Sequence, residues 1–303
     1  VAALLDSASG LPVVSRVALP FVWTSSDGSA GSGVDYIPRD GGSSVPAGST
    51  SIGFVPDSVV GNPIHQSDRT ISVTVSPAGT DLRPGATSVL GTIADDDPEP
   101  LVSVDDASIR RDTVSGSRTP LWFRVRLTDP RTGAPTFSGL PVSFGWTTSD
   151  SSAVAGIDYV VASASMTMAA GAETDSFAVS ILGDARYSPS NAFKVALDDF
   201  QGASGSDVDG VGTIFGGARK PSIAVVGGSV VRRPVAGDTT TLPFGIFLVD
   251  PLTGARTTSR VANVFEWSTF DSTAKVSQSD YIAVNSRPAT LGAARISDTL
   301  GVT

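Results

Sequence analysis

Trp23-Thr24-Ser25-Ser26-Asp27 recurs as Trp146-Thr147-Thr148-Ser149-Asp150 and again as Trp267-Ser268-Thr269-Phe270-Asp271. The first two copies lie 123 residues apart and the last two 121. Two more landmarks hold the same register. An aspartate precedes each tryptophan by 17 residues (Asp6, Asp129, Asp250), and an Asp-Tyr pair follows it (Asp35-Tyr36, Asp158-Tyr159, Asp280-Tyr281). A repeat of this length is a whole domain rather than a solenoid turn, so the chain reads as a tandem array of one module. The modules are expected over 1–98, 99–219 and 220–303, with only the middle one complete.

Composition narrows the class. The 303 residues carry a net charge of −9, no cysteine and one histidine, His65. Disulfides and thiol chemistry are excluded, and one histidine cannot build a histidine metal cluster. An acidic chain lacks the basic face of a nucleic-acid binder. No apolar run reaches the length of a membrane span. With 32 Gly, 20 Pro and 17% charged residues, the chain reads as all-β with many turns.

The middle repeat supplies the strand pattern. Leu121-Trp122-Phe123-Arg124-Val125-Arg126-Leu127 alternates at period two, as a half-buried strand does. Asp129-Pro130-Arg131-Thr132-Gly133 is a turn, repeated as Asp250-Pro251-Leu252-Thr253-Gly254. Further strands are expected at Leu101–Val104, Val142–Trp146, Ser165–Met168, Ser176–Ile181, Ala192–Leu197 and Gly212–Phe215. Seven strands in one repeat match an immunoglobulin-like antiparallel β-sandwich. The three tryptophans, and the tyrosine of each Asp-Tyr pair, are expected in its core.

The order of these landmarks resembles the Calx-beta family. Repeat one carries Gly33-Val34-Asp35-Tyr36 and Gly91-Thr92-Ile93-Ala94-Asp95-Asp96-Asp97, repeat two Gly156-Ile157-Asp158-Tyr159 and Gly212-Thr213-Ile214, and repeat three Ser279-Asp280-Tyr281. That family comprises seven-stranded sandwiches of sodium–calcium exchangers and of large bacterial surface proteins. The resemblance implies calcium in the first module only, with Asp35, Asp95, Asp96 and Asp97 as its metal ligands. The competing reading of the triplet is an acidic linker, 94–100, stiffened by Pro98 and Pro100.

The later repeats depart from the family pattern. Arg stands where the family has Glu, in Ser108-Ile109-Arg110-Arg111 and Val230-Val231-Arg232-Arg233. Repeat two also ends in Gly216-Gly217-Ala218 rather than an acidic triplet. An arginine from each pair is therefore expected beside Asp158 and Asp280 as a fixed cation. Strand parity leaves open which one.

The functional expectation is a non-catalytic structural segment of an extracellular repeat protein on a bacterial cell surface: a filament, sheath or adhesin stalk. Its partners would be copies of itself or other surface proteins. The alternatives are a calcium-sensing regulatory module and a ligand-binding adhesin. Repeat one enters at its second strand, and repeat three stops short of its last two. Those ends are expected to belong to a longer polypeptide or to be completed by strands from neighbouring subunits.

Overall fold

The computed structural model describes residues 1–54, 57–83, 88–233, 235 and 237–302. Strands dominate, and a 3-10 turn at Val276–Gln278 is the only helical element among the described residues. Thr303, the last residue assigned to the third module, lies outside them.

Repeat two is a sandwich of two sheets. One is ordered Thr174–Leu182, Arg118–Thr128, Leu101–Val104, Ser204–Asp207. The other is ordered Ala107–Arg110, Asp209–Phe215, Asn191–Gln201, Val142–Asp150, Ser163–Met168. All seven expected strands are present, and two more appear. The opening strand splits at Asp105-Asp106 and crosses between sheets, and Ser204–Asp207 adds an edge. Both additions pair in parallel, with Asp209–Phe215 and Leu101–Val104 respectively; the other strand ladders described in this repeat are antiparallel. The crossing is pinned where Asp106 Oδ1 accepts the Val211 N–H at 2.7 Å and Asp105 pairs with Arg126 at 2.5 Å.

Period two decides what is buried. Leu121, Phe123, Val125 and Leu127 face inward, while Trp122, Arg124 and Arg126 face outward. Phe123 stands opposite Phe177 in register and stacks on it at 5.5 Å between ring centres. Phe177 also stacks on Trp146, at 4.2 Å, and Tyr159 stacks on Phe193 at 4.4 Å. Offset-stacked rings add to the area they bury, so the motif tryptophan closes one continuous aromatic core.

Repeat one keeps a four-stranded sheet ordered Gly41–Val45, Leu19–Asp27, Arg69–Pro77, Ser88–Ile93, with two short pairs beside it. Repeat three keeps a three-stranded sheet, Ser222–Val226, Leu242–Val249 and Ser297–Val302, with a pair, Asn263–Trp267 and Arg287–Leu291. Trp23 and Trp146 are buried as expected, but Trp267 is only half-buried. Leu300 faces Phe244 where Phe177 faces Phe123, so repeat three offers no aromatic ring there to stack on Trp267.

Each landmark has a hydrogen-bonding job, which explains the constant register. The aspartate ahead of each tryptophan makes the same turn three times. Asp6 Oδ1 accepts from the Ala8 and Ser9 N–H groups, Asp129 Oδ1 from Arg131 and Thr132, and Asp250 Oδ1 from Leu252 and Thr253. The chain then reverses through a glycine with φ of 69°, 71° or 68° at Gly10, Gly133 and Gly254, a conformation other residues reach only with strain. The aspartate ending each Trp motif accepts the tyrosine hydroxyl: Tyr36 to Asp27 at 2.7 Å, Tyr159 to Asp150 at 2.6 Å and Tyr281 to Asp271 at 2.9 Å.

Candidate binding site at the repeat junctions

The tyrosine bond anchors the loop that carries the neighbouring aspartate. Asp35, Asp158 and Asp280 each accept one loop N–H, from Gly31, Val154 and Lys275. Each also meets a guanidinium. Asp35 pairs with Arg69 at 2.7 Å, Asp158 with Arg111, and Asp280 with Arg232 at 2.5 Å. The open choice of arginine is thereby resolved. Arg111 turns inward and Arg110 outward; in repeat three Arg232 takes the aspartate, and Arg233 lies near Asp238.

Asp158 is the most enclosed of the three. Burial pushes its pKa up, but hydrogen bonds from Arg260, Val154 and Arg111 outweigh that and hold it below the ordinary carboxylate value. Arg111 is almost fully buried, and its Nε and Nη1 have no hydrogen-bond partner among the described residues. Arg260 comes from repeat three. It also reaches Asp184 at 3.5 Å, where Arg186 makes a two-pronged contact at 2.8 and 3.0 Å. The second junction thus sets three guanidiniums against two carboxylates.

The first junction has the opposite balance. Asp35, Asp95, Asp96 and Asp97 line one small cleft of about 60 Å³, together with Asn62, Gln66, Ser67 and Arg69. Asp68 joins them by accepting the Asp95 N–H at 3.0 Å. The carboxylates are turned to separate partners: Asp35 to Arg69, Asp95 to His65 Nδ1 at 3.2 Å, and Asp97 to Arg131 of repeat two at 3.0 Å. Five carboxylates share two guanidiniums. All-oxygen donors are the chemistry a hard cation such as calcium takes. The four expected ligands share a cleft but not a point, and among the described residues no group of three or more His, Cys, Asp or Glu is gathered tightly enough to hold a metal.

Both junctions use one backbone contact. The Gly139 N–H donates to the His65 carbonyl at 2.8 Å, and the Arg260 N–H donates to the Tyr187 carbonyl at 2.8 Å. Ser138 and Ser259, the residues just before, are both buried. Arg69, Arg131, Arg186 and Arg260 escaped the sequence reading. The visible clue was Ser15-Arg16-Val17 recurring as Ser259-Arg260-Val261, two repeat lengths on.

These features define a chain of tandem β-sandwich domains with charged clusters at the domain joints. It belongs to the Calx-beta domain family, whose model matches residues 14–97 and 121–210, more than half of the chain. Among solved structures it is similar to CBD12 from CALX1.2 (15% identity, 66% of this chain and 88% of that one, TM-score 0.31). It is also similar to the calcium binding domain CBD12 of CALX1.1 (19%, 61% and 68%, TM-score 0.27) and to the apo-form Calx CBD1 domain (15%, 38% and 97%, TM-score 0.29). No curated protein matches the sequence.

Proposed function

We propose that the chain is a non-catalytic structural segment of an extracellular repeat protein, part of a bacterial surface filament, sheath or adhesin stalk. Its partners are copies of itself or other surface proteins. One observation carries this reading: two successive junctions are built on the same backbone contact at equivalent positions. An array whose joints repeat propagates one orientation and resists bending, as a stalk requires. In the first repeat, calcium would be held only if Asp35, Asp95, Asp96 and Asp97 left their separate partners, Arg69, His65 and Arg131, and converged. An ion there would offset the excess of carboxylates and stiffen that joint.

A second reading, a calcium-responsive regulatory module, is favoured by the same acidic cleft. Thermal melting across a calcium titration separates the two. The stalk predicts a modest rise in the melting of repeat one at millimolar calcium, with repeats two and three unmoved. A large shift of all three repeats at micromolar calcium would favour the sensor.

A further inference from the structure

Ser259-Arg260-Val261 is shaped by its own repeat before any joint is made. Ser259 Oγ accepts the Val261 N–H at 3.1 Å, and its carbonyl accepts the Ala294 N–H at 2.7 Å. The same two bonds form at Ser138 (Leu140 at 3.0 Å, Gly171 at 2.8 Å) and at Ser15 (Val17 at 3.1 Å, Gly48 at 2.7 Å). The three repeats therefore present one preformed turn and differ in the residue at its tip: Arg16, Gly139 and Arg260.

Two of these tips meet the preceding repeat: the neutral one at its acid-rich end, the cationic one at an end without closing carboxylates. Gly139 docks on the acid-rich end of repeat one so closely that a Cβ would stand 2.9 Å from the Gln66 Cβ. Arg260 docks on the end of repeat two, whose closing residues are Gly216-Gly217-Ala218. There its side chain is 14% exposed, with its guanidinium on Asp158 and Asp184.

We propose that Ser259-Arg260-Val261 is a docking element that supplies, from the following repeat, a fixed cation to the Asp158–Asp184 cluster, locking the second joint without a dissociable ion. The partner it fits is a module end bearing an Asp-Tyr aspartate, backed by a buried arginine and lacking closing carboxylates. This inference stands apart from the calcium reading of the first joint.

Hydrogen exchange on the full chain tests it, with Arg16→Ala as the internal control, because Arg16 sits on the same turn but is exposed. Arg260→Ala should speed exchange of the joint amides of Tyr187 and residue 260 by about tenfold or more, with Val195 and Leu197 in the core unchanged. Arg260→Lys should fall between, since a point charge cannot reproduce the planar fork. Arg16→Ala should change nothing. If Arg260→Ala exposes the core of repeat two as well, Arg260→Lys alone is read, against the same control. Joint exchange within about twofold of wild type in the variant that is read, or an equal effect from Arg16→Ala, would overturn the proposal.

Discussion

Tyr159→Phe isolates one bond in an otherwise intact core. The Tyr159 ring is fully buried and stacked on Phe193, and phenylalanine keeps that packing. What is lost is the hydroxyl donated to Asp150 at 2.6 Å, a charge-assisted bond. Such bonds contribute about 1.5–3 kcal/mol. Asp150 keeps its bond from the Ala155 N–H at 2.8 Å, which places the expected loss near the middle, about 2 kcal/mol. For a domain of this size that lowers the melting temperature by roughly 8 °C. Calorimetry of the full chain, resolved into its transitions, should show the shift in repeat two alone. A double-mutant cycle with Asp150→Asn should recover at least about 1 kcal/mol of coupling. Coupling within about 0.3 kcal/mol of zero would mean that the Asp-Tyr pair holds its register for some other reason.

Asp158→Asn should cost repeat two about 3–5 kcal/mol in chemical denaturation, because it leaves Arg111 buried without its anion; Asp280→Asn, whose partner Arg232 is mostly exposed, should cost repeat three far less. Acid should act through the same group: Asp158 lies below its ordinary pKa of 3.8, so its contribution is present above that value and is lost as pH falls through the depressed folded value, read as a falling midpoint in acid titration. Alkali should act on repeat one, where the hydrogen bond to Asp27, with burial, pushes Tyr36 up to about 12; its contribution is intact below pH 10 and lost as pH rises through about 12, followed by tyrosinate absorbance. Trp146→Ala should destabilise by about 3–5 kcal/mol in equilibrium unfolding and Trp267→Ala by clearly less, because only Trp146 is buried against a stacked ring.

The fold was legible because each landmark is both local and obligatory. Asp129 and Gly133 make a turn within five residues, and alternation from Leu121 to Leu127 announces its buried face. The edge strand Ser204–Asp207 was not legible: its small polar residues carry no period, and its pairing with Leu101–Val104 spans the whole repeat. Parity failed at Arg110 and Arg111 for a related reason. The strand changes sheets at Asp105-Asp106, so the alternation before the crossing does not predict the facing after it. The acid cleft of repeat one could be expected from its residues, but the arginines that meet it could not. Arg131 and Arg260 act across junctions, and only tertiary docking brings them to Asp97 and Asp158.

Small-angle scattering of the full chain tests the stalk directly. Repeated, hydrogen-bonded joints predict a single stiff particle whose largest dimension is unchanged on adding calcium or chelator beyond a slight firming of the first joint. A broad distribution of dimensions, typical of domains tethered by free linkers, would contradict the account.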